Sequence, residues 1–236
     1  MRLGPPPVAA VFFDVDFTLI YPGPTFQGEG YADFCARHGM SVEPARFAGA
    51  VRAASSILDV AQDHAYDADV FVAYTRRIIE EMGGRGPRLD ACAAEIYREW
   101  AACRHFHLYD DVRPALEALA GEGLRLGLIS NSHRCLESFQ EHFDLRDLIA
   151  AAVDASGHGY MKPHPSIFRE ALARAGVGAA ESMMVGDSVP HDIDGARSVG
   201  MRGILVHRSD DPVPATDVPV IRSLLELVGS GVMTDL

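Results

Sequence analysis

The stretch "FFDVDFTLI", residues 12–20, sets two carboxylates, Asp14 and Asp16, in an otherwise apolar run. Successive side chains of an extended segment point to opposite faces, so residues two apart share one. Asp14 and Asp16 therefore point the same way at the end of a buried run. Like charges there repel, and each loses hydration. A cation, a proton or a chemical task must offset that cost. The apolar residues just before them, VAAVFF at 8–13, read as a strand buried on both faces.

Working outward, similar short runs recur: LRLGLI at 124–129, LIAAAV at 148–153, SMMV at 182–185 and RGILV at 202–206. Helical patterns separate most of them. VRPALEALAGEG (112–123) ends at glycine, PSIFREALARAG (165–176) has Pro165 in its first turn and Gly176 as its stop, and PHDIDGARSVG (190–200) is a third. Strand and helix in alternation predict a doubly wound parallel α/β sheet. From Tyr21 to His107 the rhythm breaks. No convincing strand is visible there, and helical stripes replace it: Tyr31, Phe34, Cys35 and His38; Phe71, Tyr74 and Ile78; Ile96, Tyr97, Trp100 and Cys103. Gly83, Gly84, Gly86 and Pro87 punctuate the interval. It reads as an inserted helical bundle whose aromatics form its own core. A last helix is expected near residues 221–228.

The chain of 236 residues suffices for a core domain with a sizeable insertion. Its 48% hydrophobic and 23% charged residues are those of a soluble globular protein. No run approaches the roughly 20 apolar residues of a membrane span. The opening MRLGPPPVAAVFFD lacks a signal-peptide layout, so a cytoplasmic location is expected. The net charge of −12, with no cluster of Lys and Arg, argues against a nucleic-acid groove. The four cysteines form no CxxC pair and read as small buried hydrophobes. Of 21 basic residues only one, Lys162, is lysine. A site that needs a compact ammonium rather than a planar fork would explain its survival.

Ligands of open parallel sheets bind beyond the carboxyl ends of the strands. After the first strand come Asp14, Asp16 and Thr18. Ser130, Asn131 and Ser132 follow LRLGLI, and Lys162 lies beyond LIAAAV. Gly186, Asp187 and Ser188 follow SMMV, with Asp192 five residues past Asp187. Each has an ordinary reading alone: a turn cap, a helix N-cap, an acid in a first helical turn, an exposed loop lysine. All four groups, in order, each after its own strand, point to one site.

This order resembles the haloacid dehalogenase-like (HAD) hydrolase superfamily. DVDFT matches its first motif, DxDxT; the serine of ISNS its second; Lys162 with Pro163 its third; and GDSVPHD its fourth, GDxxxxD. The resemblance spans residues 8 to about 206. It implies a Rossmann-like core from residues 1–20 and 108–236, and a helical cap of the C1 type from 21–107. The implied activity is Mg²⁺-dependent hydrolysis of a small phosphorylated metabolite. Asp14 would be the nucleophile, giving an aspartyl-phosphate, and Asp16 the general acid and then base. Mg²⁺ would be held by Asp14, the backbone carbonyl of Asp16 and Asp187, with Asp192 acting through water or from behind. Ser130, the Asn131 amide and Lys162 would bind the phosphoryl oxygens, helped by the following helix's N-terminus, with Thr18 fixing the turn at the phosphate-binding edge. Phe17 stands where many members have glycine, and its ring would favour an apolar part of the substrate.

The implied partner is a small-molecule phosphate ester, with no nucleic acid or membrane, and the chain is expected to be a monomer or homodimer. A dehalogenase needs neither Asp16 nor Asp187. A phosphonatase is expected to use a cap lysine, and the insert contains none. A sugar-phosphate mutase shares the core, and Arg52, Arg76 and Arg77 of the insert would have to hold a second phosphate. A non-catalytic binding protein would be expected to have lost Asp14, Asp16, Lys162 or Asp187. Of the histidines, His191 lies inside the fourth motif, whereas His38, His64, His105, His107 and His133 read as surface or packing residues.

Overall fold

The computed structural model describes residues 6–58, 63–209, 211–213 and 215–229. The first five residues of the leader reading lie outside them. Strand β1 (Ala10–Phe13) leads through the two aspartates to a short strand β2 (Ile20–Pro22). Among the described residues four α-helices follow: α1 (Gly28–Arg37), α2 (Phe47–Ala54), α3 (Ala68–Glu81) and α4 (Leu89–Trp100). Strand β3 (Phe106–Leu108) pairs with β2. Then come α5 (Val112–Gly121), β4 (Arg125–Ser130), α6 (Leu136–His142), β5 (Ile149–Asp154), α7 (Ala155–His158) and α8 (Pro165–Ala175). The chain continues with β6 (Ser182–Gly186), a π-helical turn over Val189–Asp194, α9 (Gly195–Ser198), β7 (Arg202–Val206) and β8 (Val220–Ile221).

Contacts divide the chain into two units, Met1–Tyr21 with Leu108–Leu236, and Pro22–His107. The first is an α/β domain around a six-stranded sheet of order β5-β4-β1-β6-β7-β8, parallel throughout. β1 lies inside the sheet, and all four of its residues are buried, which is why it carries no alternation. From β1 the chain builds outward to β4 and β5, then returns to build β6, β7 and β8 on the other side. The order therefore reverses between β1 and β6, the switch point at which such sheets open a crevice. Phe13 aligns with Leu128 on one side and Val185 on the other. The residues that follow these strands accordingly leave the sheet at one edge.

Local chemistry fixes the element ends. α8 starts at Pro165, where a missing N–H costs nothing, and stops at Gly176, whose φ of 64° suits a residue without a side chain. The second unit is helical, as the stripes require. Phe26 stacks among Phe34, Trp100 and Phe106, while Tyr31 and Cys35 of α1 and Ile96 of α4 are buried. Gly83 and Gly86 take positive φ in the turn from α3 to α4.

The structure departs from expectation in three places. The boundaries of the insert carry the short strands β2 and β3, whose three residues are too few to show a pattern in sequence. The last segment forms strand β8 followed by a 3₁₀ turn over Leu224–Leu227, not one helix from 221. Of the cysteines, only Cys35 and Cys92 are buried; Cys103 is intermediate and Cys135 exposed. Among the described residues no helix is long and apolar enough to cross a membrane.

Candidate active site

At the end of β1 the Asp14 N–H donates to Val185 O of β6 at 2.9 Å, extending the ladder by one residue. This places the Asp14 carboxylate, 7% exposed, at the switch point. The chain then turns sharply. Phe17 N–H donates to Ile20 O, and both Leu19 and Ile20 N–H donate to Val15 O. Phe17 adopts the left-handed region, φ 66°, with 46% of its surface exposed. The position that commonly holds glycine is thus one whose backbone asks for glycine. Thr18 is fully buried, and its hydroxyl has no hydrogen-bond partner among the described residues.

Lys162 is buried at the centre of the acidic group. Its ammonium donates to Asp14 Oδ1 at 2.6 Å and to Asp192 Oδ1 at 2.7 Å. Burial alone would lower its pKa, but Asp14 and Asp192 outweigh burial and raise it, so the ammonium stays charged. The lysine is aimed by Asn131, whose side-chain amide donates to Lys162 O at 3.0 Å and accepts from Lys162 N–H at 2.6 Å. That side-chain amide is committed to bracing the lysine segment. The Lys162–Pro163 bond is cis.

Asp192 sits in the π-helical turn, 1% exposed, and its second oxygen accepts from Ser188 N–H at 3.0 Å. Gly186 makes room for it: a β-carbon there would lie 2.3 Å from the Asp192 carboxyl. Asp192 therefore touches the lysine directly. His191 is held beside this turn, its Nδ1 2.9 Å from Ser188 Oγ. Asp187 follows β6 on the solvent side, and carboxylate oxygens of Asp14, Asp187 and Asp192 all lie within 4.8 Å of one another. Lost hydration, then Asp14 and Asp192, push the Asp187 pKa well up. Burial likewise raises that of Asp14, with Lys162 opposing and Asp192 adding.

This trio suits a hard divalent cation. Asp14 Oδ2 is buried without a hydrogen-bond partner among the described residues, and the raised pKa values mark carboxylates short of positive charge. Among the described residues Asp14, Asp16 and Asp192 pair with Lys162 and Arg134, so with Asp187 the four carboxylates, counted as ionised, exceed these two cations by two charges that one Mg²⁺ would match.

Ser130, at the end of β4, is fully buried. Its hydroxyl lies 3.0 Å from Ser132 Oγ and accepts from Ser132 N–H. Asp16 is not one of the trio. Both its oxygens accept from Nη1 of Arg134, at 2.9 and 3.1 Å. Arg134 is fully buried and escaped the sequence reading. One signal was present: a cation immediately before a helix, where the dipole disfavours it, asks for a reason. Burial raises the Asp16 pKa, with Arg134 opposing and Asp14 adding.

Of the three insert arginines named for a second phosphate, two are paired with neighbouring acids. Arg76 pairs with Glu80 and Asp90, Arg77 with Glu81, and Arg52 is exposed. His38 and His105 pair with Glu95 and Glu99 of the same unit.

Comparison with known proteins agrees with the motifs. A family model described as haloacid dehalogenase-like hydrolase matches residues 8–200. The haloacid dehalogenase-like hydrolase domain-containing protein 3 of Danio rerio is 30% identical over 231 residues, 94% of this chain and 95% of its own. A phosphoserine phosphatase of Thermus thermophilus is 34% identical over 155 residues, 61% of this chain and 59% of its own. The crystal structure of a HAD phosphatase from Thermococcus onnurineus superposes with a TM-score of 0.64 at 25% identity, covering 93% of this chain and 96% of that one. With four motifs gathered at one sheet edge and a family match across most of its length, this chain belongs to the haloacid dehalogenase-like hydrolases.

Proposed function

We propose that the protein is a Mg²⁺-dependent phosphomonoesterase that hydrolyses a small phosphorylated metabolite through an aspartyl-phosphate. The observation that carries this reading is the buried ammonium of Lys162 between Asp14 and Asp192, within a group in which carboxylates outnumber cations. Asp14, Asp187 and the Asp16 carbonyl would hold the metal, with Asp192 supporting from behind. Bound Mg²⁺ would screen the phosphoryl oxygens from the attacking carboxylate.

The chain's own groups supply the rest. Lys162 holds the Asp14 carboxylate by one oxygen, which orients it for in-line attack on phosphorus. Ser130 and the Asn131 N–H, at the end of β4, present donors to the phosphoryl oxygens beside the ammonium, and Thr18 lends its unpaired hydroxyl to the same edge. As the P–O bond breaks, Asp16 gives its proton to the leaving alkoxide. It then takes a proton from the water that attacks the aspartyl-phosphate, releasing phosphate and restoring Asp14. The helical unit would act as the cap that selects the leaving group. Relatives that bear phosphatase names support the reaction class.

A mutase would need a second phosphate site, and the pairing of Arg76 and Arg77 with neighbouring acids speaks against the candidates for it. The test is hydrolysis of p-nitrophenyl phosphate with Mg²⁺. Turnover should vanish with EDTA and in Asp14→Asn. Full activity of that variant in EDTA would remove the proposal.

A further inference from the structure

We infer that Arg134 is the positioning residue for Asp16, and that it determines whether esters with poor leaving groups can be cleaved. The inference rests on the phosphatase reading above, and concerns a residue that none of the four motifs contains. Arg134 lies between β4 and α6 with its side chain wholly buried. One nitrogen, Nη1, spans both oxygens of Asp16, 118 residues away in the chain. Its backbone is pinned as well: Arg134 N–H donates to Ser132 Oγ, the atom that also meets Ser130 Oγ. The phosphate-binding end of β4 and the acid–base carboxyl are thus joined through one residue.

A buried ion pair is poor support for stability, since an apolar side chain of similar volume usually serves as well. The arginine therefore calls for another explanation. Asp16 follows Asp14 on a tight turn next to a left-handed residue, and its carboxyl is not among the trio gathered on Lys162. Without the guanidinium its side chain would be free to change rotamer. A proton donor must sit within hydrogen-bond reach of the oxygen that leaves, so a wandering carboxyl loses the acid step before any other.

Leaving groups distinguish this role from a structural one. An alkoxide needs the Asp16 proton as the P–O bond breaks, whereas p-nitrophenolate departs without it. The parameter kcat/KM reports only the steps through alcohol release, so it isolates the acid role. In Arg134→Met, kcat/KM for an alkyl phosphate accepted by the wild type should fall about 10²-fold, while that for p-nitrophenyl phosphate changes less than about fivefold. Water attack still needs Asp16 as a base, so p-nitrophenolate should appear in a burst followed by a slow phase. Arg134→Lys should recover part of the alkyl activity, and Asp16→Asn should show the same selectivity as Arg134→Met.

Equal losses on both esters in Arg134→Met, with no burst, would overturn the inference. If that variant does not fold, Arg134→Lys and Arg134→Gln carry the same comparison, and parallel losses there overturn it equally. The outcome is separable from the phosphatase reading. Selective loss in Asp16→Asn without selective loss at Arg134 refutes only the role of Arg134. A wild-type protein that cleaves neither ester refutes the reading beneath it.

Discussion

Phe17 combines two costs. Its φ of 66° places a β-carbon in a region that L-residues avoid, and nearly half of its surface stays in water. Phe17→Gly would relieve about 1–2 kcal/mol of backbone strain and lose about 0.5–1 kcal/mol to added freedom of the unfolded chain. The variant should be no less stable in urea melts than the wild type, despite losing a whole ring. If the ring serves the substrate, the same variant should lose its preference for esters with apolar leaving groups across a phosphate panel, and an unchanged ranking would show that it does not. The residues of the candidate site differ in how far the sequence discloses them. Asp14, Asp187 and Lys162 are visible because each follows its own strand in a short segment of recognisable chemistry. Arg134 is one of 20 arginines, and what sets it apart is a contact with Asp16 that only the folded sheet creates. The bracing of Lys162 by Asn131 is hidden for the same reason, since 31 residues separate them.

Among elements, the strands were legible because runs buried on both faces need no alternation, and five of the six in the sheet stand where apolar runs stand. β8 was not, because two residues carry no period; tertiary contacts make it. The segment just after β8 is tied down at Asp111, just before α5. Its carboxylate accepts from Arg208 at 3.1 Å, from Ser223 Oγ at 2.8 Å and from Leu224 N–H at 2.7 Å. Arg208 in turn donates to Thr18 O and lies over the Tyr109 ring. Burial pushes the Asp111 pKa up, but Arg208, Leu224 and Ser223 prevail and hold it below the usual value. A depressed carboxyl contributes stability above its unfolded pKa and loses it as pH falls through the folded one. Asp111→Ala should therefore cost about 2–4 kcal/mol at neutral pH, and the difference from wild type should shrink in acid. An equal difference in stability at both pH values would contradict this assignment.

At the scale of the molecule, the acidic group couples protons to folding, and the proposed Mg²⁺ would join that coupling. Asp14 and Asp187 have raised pKa values in the metal-free protein, so their contribution to stability is present below the unfolded aspartate pKa and is lost as pH rises through the folded values. A cation that binds the ionised carboxylates reverses that loss. Mg²⁺ at about 100 times its Kd would add about 2.7 kcal/mol to the folded state. The rise in Tm on adding Mg²⁺ should be larger at mildly alkaline than at mildly acidic pH, and absent in Asp187→Asn. A rise independent of pH would place the ion elsewhere.

The pairing of β2 with β3 has a consequence for how such a protein can diversify. Gly23 N–H meets His105 O at 2.7 Å, and Tyr109 N–H meets Leu19 O at 3.1 Å, so the chain departs from the parallel sheet and rejoins it at neighbouring points. More than eighty residues intervene, yet the ends they must join are a strand spacing apart. Closing that gap takes a hairpin's worth of backbone. Evolution could lengthen, shorten or exchange everything between the two ends without disturbing a single rung of the ladder beneath, leaving the acidic strand ends untouched while the inserted surface is rewritten.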